Sequence, residues 1–188
     1  GAAAALASGM TPLEFGSDIG GSIRTPAHFC GVFGHKSTFG VVPQSGHVPP
    51  VHGARTSSAL NVMGPLARTV TDLELAFNVT VGLDERVGSG LRLALPHCKI
   101  RSPRSLRVGL WLGDDYCPVD TELLRGIERA ARVLESEGAI VEEAKPDFFL
   151  AEHHETYLMH LAPIIAAGFG PKEIDIMQSV VSTTSPSD

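Results

Sequence analysis

The chain has 188 residues, of which 43% are hydrophobic and 19% are charged, a composition typical of a globular domain with a buried core. A formal net charge of −6 without a basic cluster argues against a nucleic-acid-binding surface. No apolar run reaches membrane-spanning length, so we expect no membrane association. The three cysteines lack Cys-x-x-Cys spacing, which favours reduced thiols in a cytoplasmic protein over a disulfide framework or a zinc site.

The first predicted element is a short helix over residues 2–7, because alanine has the highest helix propensity and Ser8-Gly9 supplies a stop. A short strand over residues 13–16 then leads into a glycine-rich turn. The next helix is expected to follow Ser22 and to run to about Cys30, where Gly31 ends it.

The glycine-rich turn contains a candidate nucleophile. Two adjacent glycines precede Ser22, and Pro26 follows four residues later, which predicts a sharp turn that starts a helix. Unpaired N–H groups and the helix dipole at such a place favour negative charge. A serine nucleophile fits there, because acyl transfer develops charge on an oxygen. On spacing alone, an ordinary glycine-rich turn capped by serine is an equally good interpretation.

Two better-known glycine motifs do not fit this turn. Asp18 occupies the second glycine position of the dinucleotide fingerprint G-x-G-x-x-G. Arg24 stands where the last glycine of the G-x-S-x-G nucleophile elbow belongs. Neither dinucleotide binding nor an α/β-hydrolase elbow is therefore predicted.

The middle of the chain is predicted to contain a strand, a turn and a helix. The strand lies around residues 61–63, and Gly64-Pro65 forms the turn. Thr69 is a good N-cap with Asp72 three residues later, and Gly82 ends the helix. Residues 83–105 show no sustained period and are expected to form a long connection.

The following segment has the order strand, helix, strand. Residues 107–112 predict a buried strand, and residues 139–141 predict another. Between them, a helix opens at Asp120 and stops at Gly138. Its apolar stripe consists of Leu123, Leu124, Ile127, Ala130, Ala131 and Leu134. This order predicts α/β architecture with parallel pairing in a sheet shared with the rest of the chain.

The last third contains an apparent zinc motif that fails on counting. His154-Glu155 begins as H-E-x-x-H would, but Leu158 occupies the position of the second histidine. We therefore predict no metal site and a surface helix with solvated histidines. Pro163 is expected to bend or end this helix, and residues 168–171 to break it again.

Two longer stretches carry a resemblance to a known family. Residues 16–40 read G-S-D-I-G-G-S-I-R-T-P-A-H-F-C-G-V-F-G-H-K-S-T-F-G, and residues 64–73 read G-P-L-A-R-T-V-T-D-L. Both resemble the signature of the amidase signature family, whose members hydrolyse carboxamides through a Ser–cis-Ser–Lys triad. The resemblance is strong to about Leu83. It implies an α/β fold with a mixed β-sheet core covered by helices.

The same resemblance assigns roles within the turn. It implies that Ser22 is the nucleophile, forms an acyl-enzyme and needs neither a metal nor another cofactor. It also implies that the oxyanion hole consists of backbone N–H groups. These belong to Ile19, Gly20, Gly21 and Ser22. Asp18 and Arg24 are expected to brace the loop, and the Ser17 hydroxyl to support it.

The resemblance further implies that the catalytic base is not in this chain. The cis-serine would lie just before Gly1, and the lysine much further upstream. Lys36 and Arg68 match framework positions, and Ser37 replaces the family's usual proline, which we expect to loosen that turn. We therefore expect residues 1–188 to form one partial domain, incomplete at both ends. The isolated chain is expected to be inactive or impaired.

Three functions follow as hypotheses. The first is an amidase that acts on a small linear carboxamide, with a homodimer left open. The second is a glutamine-dependent amidotransferase A-type subunit, which would require partner subunits. The third is a catalytically silent fragment. The sequence does not identify the amide substrate.

Overall fold

The computed structural model describes residues 1–47, 60–84, 88, 90–100 and 102–183. The chain divides into two compact units, one formed by Gly1–Ala94 with His160–Asp188 and the other by Leu95–Met159. The single domain predicted from the sequence stays a prediction. Within the described ranges, no helix is both long enough and apolar enough to cross a membrane.

The described part of the first unit begins with a small antiparallel sheet and three helices. In chain order, its elements are α1 (Ala2–Ala7), β1 (Leu13–Asp18), α2 (Arg24–Cys30), β2 (Phe33–Gly34), β3 (Val62–Ala67) and α3 (Val70–Thr80). Strands β1 and β2 both pair antiparallel with β3. Gly31 adopts the left-handed conformation that ends α2, and Thr69 caps α3 by accepting a hydrogen bond from the N–H of Asp72. The predicted helices and strands of this region are confirmed.

The turn predicted at Gly64-Pro65 was wrong. Both residues lie inside β3, where they pair with Gly16 and Phe15 of β1. The carbonyl oxygen of Pro65 accepts a hydrogen bond from the N–H of His35 at 3.0 Å. A glycine–proline pair is a common turn signal, but here partners on both sides of the strand keep the backbone extended.

The core of the first unit holds the glycine-rich turn against α1 and the sheet. Its buried residues are Ala3, Leu6, Ile23, Ala27 and Leu66. Ile23 is 0% exposed, although it directly follows the exposed Ser22. Burying a large aliphatic side chain is worth about 1.5–3 kcal/mol, so Ile23 anchors this turn to the core.

Arg68 connects α1 to the start of the sheet. Its Nη1 atom donates to the carbonyl oxygen of Leu6 at 2.9 Å and to that of Thr11 at 2.7 Å. One guanidinium thus satisfies a carbonyl near the end of α1 and another in the loop before β1. This framework contact is what the family resemblance implies for Arg68.

Ser37 is not a loose point in its turn. Its side chain is buried, and its Oγ donates to the carbonyl oxygen of Met63 at 2.6 Å. The expectation that a serine loosens this turn was therefore wrong. A hydroxyl supplies a bond to β3 that a proline side chain lacks.

The second unit contains the predicted strand–helix–strand arrangement. Its elements are a 3₁₀ turn (Pro103–Ser105), β4 (Arg107–Leu110), α4 (Thr121–Ser136) and β5 (Ile140–Glu143). Strands β4 and β5 pair in parallel, as predicted. Among the described strands, however, they form a two-stranded sheet of their own and not a sheet shared with β1–β3. Helix α5 (Leu150–Ala166) begins in this unit, and α6 (Pro171–Thr183) is assigned to the first unit.

The predicted burial of the strand at residues 107–112 was wrong, and the apolar stripe of α4 is partly exposed. The strand β4 ends at Leu110, and its residues alternate between exposed and half-buried instead of being buried. On α4, Leu123 is 44% exposed and Ile127 is 41% exposed, whereas Ala131 is buried. A sheet of only two strands is too narrow to cover the whole apolar stripe of a 16-residue helix.

The histidines of α5 (His153, His154 and His160) are exposed, as predicted, and two of them also make ring contacts. His153 stacks on Phe148 with ring centroids 4.7 Å apart. The Tyr116 hydroxyl lies 2.6 Å from Nδ1 of His154. Pro163 lies inside α5, which continues to Ala166, and the predicted break before Pro171 is present.

Replacing Gly64 with alanine is expected to lower the free energy of unfolding by about 1–3 kcal/mol. The added Cβ would overlap the backbone carbonyl oxygen of His35, which cannot rotate away as a side chain can. Urea-induced unfolding measures this change. Gly82→Ala is the control, because nothing lies within 4 Å of a Cβ added there. Equal unfolding midpoints for the two variants would contradict the close approach of His35 to β3.

Candidate active site

The candidate nucleophile lies in the connection between β1 and α2. Strand β1 ends at Asp18 and α2 begins at Arg24, so Ser22 precedes the helix by two residues. The sequence predicted a helix after Ser22, and α2 does follow it. The N–H groups of Ile23 and Arg24 at its start are bound by a carboxylate from the end of β1.

That carboxylate belongs to Asp18, whose side chain is 0% exposed. Its Oδ1 accepts hydrogen bonds from the N–H of Gly21 at 2.8 Å and from Nη2 of Arg24 at 2.9 Å. Its Oδ2 accepts from the N–H of Ile23 at 3.2 Å and from the N–H and Nε of Arg24 at 3.3 and 3.0 Å. Asp18 and Arg24 therefore brace the loop through both hydrogen bonds and charge.

The pKa of Asp18 reflects these contacts. Burial alone would raise the pKa, but the hydrogen bonds from the Arg24 guanidinium and from the N–H groups of Gly21, Arg24 and Ile23 outweigh it. Together they lower the pKa from its usual value of 3.8 to about 2. The carboxylate stays ionised over the whole physiological range.

Some N–H groups of the turn are bound by the Asp18 carboxylate, and others are donated to no described residue. The N–H of Gly21 is already donated to Asp18, so an oxyanion would have to compete for it. Gly20 and Ser22 donate their N–H groups to no other described residue. Ile19 is half-buried between Asp18 and Gly20. Of the four predicted oxyanion-hole donors, Gly21 thus already donates its N–H to Asp18, whereas Gly20 and Ser22 have N–H groups that no described residue accepts.

Gly21 has a conformation that other residues rarely adopt. Its φ is 118°, and a Cβ added there would lie 2.6 Å from Oγ1 of Thr25. Glycine is therefore needed at position 21 both for its positive φ and because a Cβ would collide with the Thr25 side chain.

Ser22 is exposed and lines a cavity of about 430 Å³. The first turn of α1 forms one wall, and α2 contributes Thr25, Pro26, Phe29 and Cys30. Among the described residues, no group of three or more His, Cys, Asp or Glu side chains is arranged to hold a metal ion. The cavity offers the Ser22 hydroxyl within a mainly apolar lining, and the N–H groups of Gly20 and Ser22 are donated to no described residue.

The family model for Amidase matches residues 1–182. The chain belongs to the amidase signature family. Its fold is the α/β fold of that family, with β-sheets and surrounding helices.

The relatives and structural neighbours agree with this assignment. The chain is 38% identical over 148 residues to the A subunit of the glutamyl-tRNA(Gln) amidotransferase of Desulforudis audaxviator, a match that covers 76% of this chain and 28% of that protein. The structure of the corresponding protein from Thermotoga maritima has a TM-score of 0.71 at 26% identity, over 97% of this chain and 40% of that one. A bacterial aryl acylamidase of the amidase signature family has a TM-score of 0.68 at 26% identity, over 97% and 41%. The chain thus spans less than a third of the curated relative.

The remaining predicted site residue, Ser17, lies in β1 opposite Met63 and is half-buried. Its hydroxyl makes no hydrogen bond to another described residue, so it does not join the contacts of Asp18. The catalytic roles assigned to this turn in amidase signature proteins stay predictions for Ser22 and its neighbours.

The sequence analysis missed Thr25. It lies three residues after Ser22, and its N–H donates to the carbonyl oxygen of Gly21 at 2.7 Å, which closes one helical turn. The spacing of three residues across the start of a predicted helix is a signal that could have placed both side chains on one face.

Replacing Asp18 with asparagine is expected to destabilise the protein by about 2–3 kcal/mol at neutral pH. A carboxylate with a folded pKa of about 2 and an unfolded pKa near 3.8 contributes stability that is fully present above the unfolded value. This contribution is lost as the pH falls through the folded value, so the difference between variant and parent should shrink from about pH 5 towards pH 2. Urea unfolding at a series of pH values measures it.

Asp115→Asn is the matched control, because Asp115 is exposed. It should change the free energy of unfolding by no more than about 0.5 kcal/mol at any pH. A pH-independent difference for Asp18→Asn would contradict the proposed loss of an ionised, hydrogen-bonded carboxylate.

Proposed function

We propose that Ser22 is the nucleophile of an amidase that hydrolyses the C–N bond of a carboxamide through an acyl-enzyme. The observation that carries this proposal is the exposed Ser22 hydroxyl on a cavity, in a chain of the amidase signature family. The N–H groups of Ser22 and of Gly20, two residues before it, are donated to no described residue. The fatty acid amide hydrolase and aryl acylamidase structures that the chain resembles support an amide as the substrate class.

In the proposed reaction, Oγ of Ser22 attacks the amide carbonyl carbon, and the carbonyl π electrons move to the oxygen. The N–H groups of Gly20 and Ser22 stabilise that oxyanion, with Ile19 and Gly21 as further predicted donors. Collapse of the tetrahedral intermediate breaks the C–N bond, and the amine leaves with a proton. Water then attacks the acyl-enzyme and releases a carboxylic acid.

The proton acceptor is proposed from the family resemblance. None of the described residues that line the cavity is a lysine or histidine. A lysine acting through a cis-serine would take the proton of Ser22 and deliver it to the leaving amine. Gly1 lines the same cavity as Ser22, which supports a position for the cis-serine close to the start of α1.

The setting of this reaction is also a proposal. Cys30, Cys98 and Cys117 are free thiols, which supports a cytoplasmic location. The net charge of −6 supports a small-molecule substrate over a nucleic acid. A homodimer stays a prediction.

Fluorophosphonate labelling of the full-length protein that carries these residues tests the nucleophile. Ser22→Ala should abolish labelling and lower amidase kcat by at least about a thousandfold, because the acyl-enzyme cannot form. Ser8→Ala is the matched control. Ser8 is an exposed serine at the end of α1 whose Oγ donates to the carbonyl oxygen of Ala5. Full labelling of the Ser22→Ala variant would show that another residue is the nucleophile.

The second candidate function is a glutamine-dependent amidotransferase A-type subunit. The observation that favours it is the 38% identity to the amidotransferase protein of Desulforudis audaxviator. Such a protein would use the same Ser22 to release ammonia from glutamine and would need partner subunits to transfer it.

Substrate preference separates the two candidates. An amidase should hydrolyse simple carboxamides without other subunits, with little stimulation by an acceptor. An A-type subunit should release ammonia from glutamine and depend on its partners for transfer. Ammonia release measured with acetamide, benzamide and glutamine decides between them. Labelling of Ser22 without turnover of any of the three would favour a catalytically silent protein.

A further inference from the structure

The cavity beside Ser22 offers very few polar side chains. Pro26, Phe29 and Leu66 contribute apolar surface to it. Among the described lining residues, only Ser22, Thr25 and Cys30 have side chains that can form hydrogen bonds, and a thiol is a weak partner. Among the described lining residues, Thr25 is therefore the strongest polar side chain after the nucleophile.

Thr25 is held next to Ser22 by the local backbone. The hydrogen bond from the N–H of Thr25 to the carbonyl oxygen of Gly21 encloses Ser22 in one helical turn. Ser22 precedes α2 by two residues, and Thr25 is the second residue of α2. Both side chains also line the same cavity, so their hydroxyl groups can reach one ligand.

The Thr25 hydroxyl is available to a ligand. Its Oγ1 forms no hydrogen bond with any other described residue, and the residue is exposed. The atom lies close above Gly21, where it would be 2.6 Å from an added Cβ. A hydroxyl carries two acceptor lone pairs and one donor, so it can bind an N–H group of a substrate.

We propose that Thr25 is a specificity-determining residue whose Oγ1 accepts a hydrogen bond from the N–H of the amide that Ser22 attacks. This inference rests on the proposed function of Ser22. In a productive complex Oγ of Ser22 lies about 3–3.5 Å from the carbonyl carbon, and the amide nitrogen is bonded to that carbon. The nitrogen then lies in the cavity that Thr25 also lines.

The consequence is a preference for amides over esters. An ester has an oxygen without a proton in place of the amide nitrogen, so it gains nothing from an acceptor at Thr25. A site that forms a hydrogen bond to one substrate group discriminates against analogues that lack it. Thr25 would thus bind the leaving group during attack, while the N–H groups of the turn bind the carbonyl oxygen.

Thr25→Val and Thr25→Ser in the full-length protein test this role, with 4-nitroacetanilide and 4-nitrophenyl acetate as a matched amide and ester. Valine keeps the shape of threonine but removes the hydroxyl. We expect Thr25→Val to lower kcat/KM for the anilide about tenfold and to leave that for the ester within about twofold. Thr25→Ser, which keeps the hydroxyl, should retain the ratio of amide to ester rates of the parent protein.

Several results would overturn the proposal and leave the proposed function intact. One is an equal fall of both rates in Thr25→Val, and another is no fall in either. By contrast, a parent protein that labels at Ser22 but cleaves only the ester would overturn both the amide preference and the proposed amidase function.

Labelling with diisopropyl fluorophosphate tests the nucleophilic role of Ser22 separately from the substrate contact of Thr25. This probe has no amide N–H, so it should modify Ser22 equally fast in the parent, Thr25→Val and Thr25→Ser proteins. Slow labelling of Thr25→Val alone would show that Thr25 supports the turn and does not contact the substrate. Absence of labelling in the parent protein would instead overturn the proposed function itself.

Discussion

The carboxylate of Asp18 is fully buried at the end of β1, and a buried charge is stable only when hydrogen bonds and an opposite charge replace its hydration. Here three backbone N–H groups and the guanidinium of Arg24 do so. Because the side chain of Arg24 is 55% exposed, much of the compensation has to come from the backbone. The conformation of residues 20–24 is therefore tied to the ionisation of one side chain, and every property of Ser22 depends on that conformation.

A second constraint holds the same turn from the core side. Ile23 is fully buried, while Ser22 before it is exposed, so the backbone is fixed with one side chain inwards and the next outwards. The space for Ile23 exists because Gly16 in β1 and Gly64 in β3 have no side chains. A Cβ at either position would lie 3.3 Å from an atom of Ile23. The two paired glycines of the sheet thus contribute indirectly to the exposure of the candidate nucleophile.

Local signals and the family resemblance predicted most of the elements and the identity of the turn. The alanine run, the Thr69 cap and the stop at Gly31 act over a few residues, so the sequence reveals them directly. The carboxylate that binds the N–H groups at the start of α2 lies five and six residues upstream, which is further than a local capping rule reaches. The exposure of Leu123 and Ile127 on α4 was also missed, since periodicity identifies an apolar face but not what covers it. The hydrogen bond from the N–H of Gly21 to Asp18 depends on the orientation of the Asp18 side chain, and residue spacing alone does not predict that orientation.

The turn divides its N–H groups in a way that suits catalysis of acyl transfer. Those of Gly21, Ile23 and Arg24 bind the buried carboxylate, whereas those of Gly20 and Ser22 make no bond to the described residues. An uncommitted N–H that is fixed by its neighbours needs no reorganisation when charge develops on a substrate oxygen, which is the main source of oxyanion stabilisation. The hydrogen bond from the N–H of Thr25 to the carbonyl oxygen of Gly21 fixes the backbone at Thr25, which lines the same cavity as Ser22. The free-energy cost of ordering the N–H groups of the turn and Thr25 is thus met during folding, by interactions that do not involve the substrate.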